Sequence, residues 1–290
     1  MSNGRVRKCG SYKEEGMRAV FLCAASVSIF AVLLICVFLF ANGLPAIGKI
    51  GAGEFLLGDE WKPGNERFGI FSMIVGSLSV TLGAILIGVP IGVLTAVFLS
   101  YFCPKPLYRV MKPAVDLLAG IPSIVYGFFG LIVLVPLVRF LFGGTGTGIL
   151  TASVLLGIMI LPSVISVSES ALQAVPKQYY EGSLALGATH EKSVFSAVLP
   201  AAKSGIFASI VLGIGRAVGE TMAVMMVAGN QARVPDGVLD GVRTLTTNIV
   251  LEMGYAADLH RDALIATAVI LFIMILLINL VFAAMKRREW

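Results

Sequence analysis

Six stretches of this chain run for about 20 residues or more with few or no ionisable side chains: Val20 to Asn42, Met73 to Phe102, Leu117 to Val138, Ile149 to Ser168, Ile206 to Gly229 and Ala263 to Met285. A hydrocarbon core about 30 Å thick takes roughly 20 helical residues at 1.5 Å each. Inside it every main-chain N–H and C=O needs a partner, so each stretch is expected to be a helix. The fold class that follows is an all-α integral membrane protein with six transmembrane helices. Composition agrees, because 57% hydrophobic and 13% charged residues leave no polar shell around runs of this length, where soluble domains carry about 25% charged residues. A soluble enzyme is excluded on the same ground.

The first run is too long for a secretory leader, whose apolar core spans about 7 to 15 residues, and reads as a retained anchor. The second lies in an uncharged stretch from Phe68 to Pro104 interrupted by Gly83, Gly88, Pro90 and Gly92. This predicts a bent or tilted helix with an interfacial lead-in from Gly69. Cys9, Cys23, Cys36 and Cys103 suggest no disulfide framework.

Charge asymmetry orients the spans. The N-terminus, the 103–112 and 176–204 connections and the C-terminal tail together carry 14 Lys and Arg, and the intervening connections carry 6. By the positive-inside rule the first set is cytoplasmic, and both termini with it. The expected organisation is a cytoplasmic basic tail over 1–18, disordered and drawn to anionic membrane lipid. A first helix and outer loop follow over 19–68, then a permease-like membrane domain over 69–285 and a short cytoplasmic tail over 286–290. The net charge of +5 is scattered between apolar runs, so no nucleic acid partner is expected.

Arg216 and Glu220 stand near the middle of the fifth stretch. Each charge there costs roughly 2.5 to 3.5 kcal/mol on the insertion scale, against roughly 0.3 to 0.6 kcal/mol returned per large apolar residue. The segment therefore needs partner helices or a wet cavity. As a continuous helix it would align Ser209, Gly213, Arg216, Glu220 and Ala223 along one pore-bordering side, opposite Val211, Ile214, Val218, Met222 and Met225. Arg216 and Glu220, four apart, could pair directly. Two readings stay open: a structural ion pair, or an anion relay in which Arg216 meets a passing oxyanion and Glu220 limits how tightly it is held. Asp116, Arg139 and Glu169 lie near span ends and read as boundary residues.

Searches for catalytic chemistry find none. His190 and His260 fall on opposite predicted sides, which leaves no paired-His metal site, and each is expected to be an exposed polar residue. The Gly-rich stretch Gly143 to Gly148 reads as a tight outer turn, lacking the strand and Lys of a phosphate cradle. Gly187 to Ser193 has Glu191 where a nucleotide loop needs Gly, so ATP hydrolysis would belong to another subunit.

Residues 176–204, opening at Pro176 and closing at Pro200, read as two short amphipathic helices meeting at Gly187. The stretch E-G-S-L-A-L-G from Glu181 to Gly187, nine residues, then A-V-L-P ending at Leu199-Pro200 resembles the EAA loop of ABC importer permeases. Glu181, Gly187, Leu199 and Pro200 match at the family spacing, while Gly182, Ser183 and Ala197 depart from it. Gly120 to Gly130 (G-I-P-S-I-V-Y-G-F-F-G) and Gly215 to Val224 (G-R-A-V-G-E-T-M-A-V), followed by Ala228-Gly229-Asn230, are similar to the PstC-type permeases of phosphate importers. The similarity covers nearly the whole chain beyond about residue 70.

The resemblance implies a type I ABC importer permease (MetI-like) architecture and a phosphate-importing function. It implies a second permease of PstA type, an ATPase dimer of PstB type and an extracytoplasmic phosphate-binding protein of PstS type as partners. ATP and Mg would be used by the ATPase, with no cofactor bound by this chain. Glu181, Gly187, Leu199 and Pro200 would serve coupling, and Arg216 and Glu220 would be the family's intramembrane charges. A permease for sulfate or molybdate, a phosphate-sensing subunit and an ATPase-free channel are the alternatives, with a membrane enzyme further behind.

Overall fold

The computed structural model describes residues 4–288, with side chains described from 14 to 284. Helix α1 (Gly4–Ile50) is followed by the short α2 (Ala52–Leu57) and a hairpin of β1 (Trp61–Lys62) and β2 (Arg67–Phe68), antiparallel with Trp61 opposite Phe68. Then come α3 (Phe71–Val97), α4 (Lys105–Ala119), α5 (Ser123–Phe129), α6 (Val135–Phe142) and α7 (Ile149–Gln173). The chain continues through α8 (Lys177–Ala185), α9 (His190–Ser193), α10 (Leu199–Ala201), α11 (Lys203–Gly219) and α12 (Met222–Val227) to α13 (Leu245–Glu252) and α14 (Asp258–Arg288). Among the described residues, five helical stretches are long and apolar enough to cross a membrane: those of α1, α3, α5 with α6, α7 and α14. The sixth is α11, which reaches the needed length and apolarity only when counted with the preceding segment His190–Ala201, from which it is bent by 69°. The all-α, six-span class is thus met.

Several expected boundaries shift. The basic tail does not stay irregular: α1 is helical from Gly4, since extending an existing helix is far cheaper than starting one. Cys9 and residues 1–3, with the tail residues 289–290, lie outside what is described for side chains or backbone. The third span starts at Ser123 instead of Leu117, because α4 runs to Ala119 and Pro122 enforces a new start. The glycines of the second stretch do not interrupt it, and α3 runs unbroken through Pro90. They are contact positions: a Cβ on Gly88 would meet Ile160 Cγ1 at 2.7 Å and the Gly157 carbonyl at 2.8 Å, and one on Gly92 would meet Val164.

Helix α7 is therefore the axis of the bundle. Two thirds (67%) of its apolar window is covered, against 0% for α1. Leu155, Leu156, Met159, Ile160 and Val164 of α7 pack with Val80 and Ala84 of α3 and with Ala223, Val224 and Val227 of α12. A second core joins α1 and α14 to the hairpin through Phe55, Phe68, Met73 and Leu264. The α1–α14 crossing is close at Gly43, where a Cβ would meet Val269 Cγ2 at 2.6 Å.

The connections gather at two ends. At the hairpin end the Gly-rich turn docks on the long loop after α12, Ile149 N–H donating to Asp240 O at 3.1 Å and Leu150 N–H to Val238 O at 2.8 Å. Gly146 takes φ +78, and a Cβ there would collide with the Val135 carbonyl, so the tight turn expected over Gly143 to Gly148 needs glycine at that position. At the other end, residues 103–122 pack against the 174–202 connection and the end of α7.

Replacing Gly88 by Val is expected to lower the stability of the purified protein by about 1–3 kcal/mol, because backbone lies in the way of the added atoms. Thermal unfolding in detergent checks this against Gly53→Ala, where nothing lies within 4 Å of the added carbon and no comparable loss is expected.

Candidate functional site

Helix α11 carries Arg216 three residues before its end at Gly219. The sequence reading put Glu220 one turn further along the same helix, but Glu220 is extended (φ −71, ψ 135) and helix resumes only at Met222. The direct pair is not formed: among the described residues no ion pair joins Arg216 to Glu220. Instead the Arg216 Nη1 donates to Ser163 Oγ of α7 at 3.1 Å. The Glu220 Oε1 accepts from the N–H groups of Thr221 at 3.1 Å and Ala223 at 3.2 Å, capping the start of α12. The Glu220 carbonyl accepts from the Thr246 hydroxyl at 3.0 Å.

The expected pore-bordering stripe is also redistributed. Ser209 is buried, its Oγ 2.8 Å from Ser168 Oγ of α7, and a Cβ on Gly213 would lie 3.1 Å from Val164. Those small residues form a seam with α7, where they let two backbones approach. Ile214 and Val218 of the expected opposite side are buried too, against other helices. The exposed line of α11 runs through Ala208, Leu212, Gly215 and Gly219, with Arg216 half-buried beside it.

Boundary charges prove to be built into the fold. Glu169 is 3% exposed and receives Tyr108 OH at 2.7 Å, Lys112 Nζ at 3.0 Å and Gln173 Nε2 at 3.1 Å. It tethers α4 to α7, and its negative charge pushes the Tyr108 phenol above its ordinary value through their hydrogen bond. Asp116 joins the same group through Lys112 at 3.2 Å, and Arg139 donates twice to the Thr145 carbonyl at the Gly-rich turn.

Neither histidine is a free surface group. His190 Nδ1 lies 2.7 Å from Tyr180 OH, with its ring against Phe102, and His260 Nε2 lies 2.9 Å from Glu252 Oε2. Glu252 also accepts from Trp61 Nε1 at 2.7 Å and Arg243 Nη1 at 2.6 Å. This cluster binds the hairpin, α13 and α14 together, and sequence reading missed it. Trp61 and Glu252 alone are 191 residues apart, with no periodicity to link them.

Residues 176–204 fold as α8 and the α9–α10 segment around Gly187, which takes φ +85. Val194 and Val198 are buried under the bundle, while Tyr179, Leu186 and Phe195 project outward, Leu186 at 91% exposure. Glu181 and Pro200 are exposed and Leu199 is half-buried. Hydrogen bonds from its own N–H and the Thr189 hydroxyl hold the Glu191 carboxyl below its usual value.

Residues 88–288 match the family described as binding-protein-dependent transport system inner membrane component. The chain belongs to that family. It is a permease subunit, not an enzyme. Among its relatives, the probable ABC transporter permease protein YqgH of Bacillus subtilis (strain 168) is 36% identical over 279 residues, 94% of this chain and 90% of that protein. The phosphate transport system permease protein PstC of Mesorhizobium japonicum is 36% identical over 277 residues, 88% and 84% of the two chains. The permease also superposes on a bacterial alginate ABC transporter, solved with an alginate pentasaccharide-bound periplasmic protein, with TM-score 0.60 at 16% identity over 95% of this chain and 97% of that one. For the inward-facing MetNI methionine ABC transporter the TM-score is 0.57 at 24% identity, over 76% and 94%. These likenesses establish the MetI-like fold of the permease.

Glu220→Ala, which removes the acceptor for two N–H groups, is expected to lower the thermal stability of the purified permease by about 0.5–2 kcal/mol. Glu220→Gln, which keeps one acceptor oxygen, should lose clearly less in the same melting experiment.

Proposed function

We propose that this chain is one of two transmembrane subunits of an ATP-driven importer of inorganic phosphate, lining half of the translocation path. The observation that carries the reading is Arg216. It is a half-buried guanidinium within a membrane helix, hydrogen-bonded to one serine hydroxyl and to no carboxylate among the described residues. A multiply charged, strongly hydrated oxyanion needs a cationic contact inside the bilayer, and a planar five-donor group supplies it. The names of the PstC relatives favour phosphate over sulfate or molybdate, and over a purely sensing role.

In this reading both termini and residues 176–204 face the cytoplasm of a bacterial cell, as the charge asymmetry indicates. The outward Tyr179, Leu186 and Phe195 seat in an ATPase dimer of PstB type, with Glu181, Gly187, Leu199 and Pro200 shaping the coupling element. A PstA-type permease covers the exposed line of α11, and a PstS-type protein delivers substrate at the hairpin end. No cofactor is held by this chain; ATP and Mg belong to the ATPase. Closure of the ATPases swings the coupling elements, the permease pair opens outward to load the anion, and hydrolysis returns it inward.

Radiolabelled phosphate uptake at micromolar concentration is expected to require the gene and to be competed by excess arsenate but not sulfate. Competition by sulfate alone would overturn the substrate. Arg216→Ala is expected to abolish uptake while the subunits still copurify; loss of assembly together with uptake would make Arg216 structural. Gly187→Arg, at a left-handed backbone position, should abolish uptake and ATPase copurification.

A further inference from the structure

The interruption at Glu220 and Thr221 frees main-chain groups in the interior of a membrane protein, where each must find a partner. In an unbroken helix the Glu220 carbonyl would accept from the Val224 N–H, and the Glu220 carboxylate would stand one turn from Arg216, within pairing reach. Here that carbonyl accepts from the hydroxyl of Thr246, 26 residues away in α13. Thr246 is 7% exposed and is itself fixed: its Oγ1 lies 3.0 Å from Thr244 Oγ1, Thr244 and Thr247 cap α13 reciprocally, and Leu245 N–H donates to Ser77 Oγ of α3 at 2.9 Å. Ser77, Thr81, Thr244 and Thr246 share the lining of a cavity of ≈ 10 Å³ at Glu220 with apolar residues such as Val80 and Leu156.

We propose that Thr246 is a positioning residue for the anion path: its hydroxyl holds the α11–α12 break open, which keeps Glu220 on the α12 amides and leaves Arg216 unneutralised for substrate. The inference rests on the reading of Arg216 as the anion contact. Without the hydroxyl, the carbonyl regains the Val224 N–H, the helix closes across residues 220 and 221, and Glu220 swings onto Arg216 as a tethered competitor of the anion. Binding then suffers more than turnover.

The test uses Thr246→Val, which replaces the hydroxyl by a methyl of similar size, and Thr246→Ser, which keeps it. In cells carrying the full importer, Thr246→Val is expected to raise the KM for phosphate about tenfold, the weight of one buried hydrogen bond, with Vmax per assembled complex little changed. Thr246→Ser should restore the wild-type KM. An unchanged KM in Thr246→Val, or an equal loss in Thr246→Ser, would overturn the proposal. A second measurement is independent of substrate: the distance distribution between nitroxides at Ala208→Cys and Met222→Cys in the purified complex, with the native cysteines replaced. It should shift in Thr246→Val and return in Thr246→Ser; identical distributions in all three proteins would sink the idea. Should wild-type cells import no phosphate, the substrate reading fails, and the nitroxide distances still decide whether Thr246 holds the break.

Discussion

Within the bilayer no water pairs with a free carbonyl or amide, so each departure from helix has to be compensated by side chains brought from elsewhere. The departure at Glu220 and Thr221 is compensated three ways. The carboxylate of Glu220 caps two amides, the Thr221 hydroxyl donates to the Gly219 carbonyl, and Thr246 serves the Glu220 carbonyl. The last of these requires α13 to lie against α3 and the break. The position of α13 depends in turn on the Arg243–Glu252–His260–Trp61 cluster at the hairpin end. A local feature of one helix is therefore supported by contacts that reach to residue 61.

Packing among the spans obeys a related constraint. Helices in lipid gain little from burying apolar side chains against one another, and they associate where small residues let backbones come close. Gly88 and Gly92 of α3 against Gly157 and Val164 of α7, and Gly213 of α11 against the same Val164, place three helices around one line of contact. Ser168 and Ser209 close that line with a buried hydroxyl pair. A residue such as Val164 is approached from two sides, by Gly92 of α3 and Gly213 of α11.

The spans and the helical character of residues 176–204 were legible in the sequence, because bilayer thickness and backbone pairing leave one solution for a long apolar run. The identity of Arg216 as the unusual charge was legible for the same reason. What periodicity could not deliver was the break beside it. A 3.6-residue pattern assumes an unbroken helix, and the donor that permits the break is 26 residues away at Thr246. The glycines of α3 were misread as interruptions because close packing and helix breaking draw on the same residue. Glu169 looked like a boundary group and His260 like an exposed one, since their partners, Tyr108 with Lys112 and Glu252, come together only through tertiary structure.

Coordination separates two buried carboxylates that build this protein from the guanidinium proposed to meet a ligand. Glu169 has Tyr108, Lys112 and Gln173 around it, and Glu252 has Trp61, Arg243 and His260. Burial of either carboxylate is offset by these partners, and removing one would leave the rest uncompensated, which is the signature of a structural group. Arg216 brings five donors into the membrane and places one of them on Ser163. In the proposed reading an arriving oxyanion stabilises this sparsely coordinated guanidinium more than the Ser163 hydroxyl does. An anion approaching Glu169 or Glu252 would instead have to displace neutralising partners from a carboxylate. The compensated carboxylates Glu169 and Glu252 thus serve architecture, while Arg216, the proposed anion contact, stands beside the exposed line of α11.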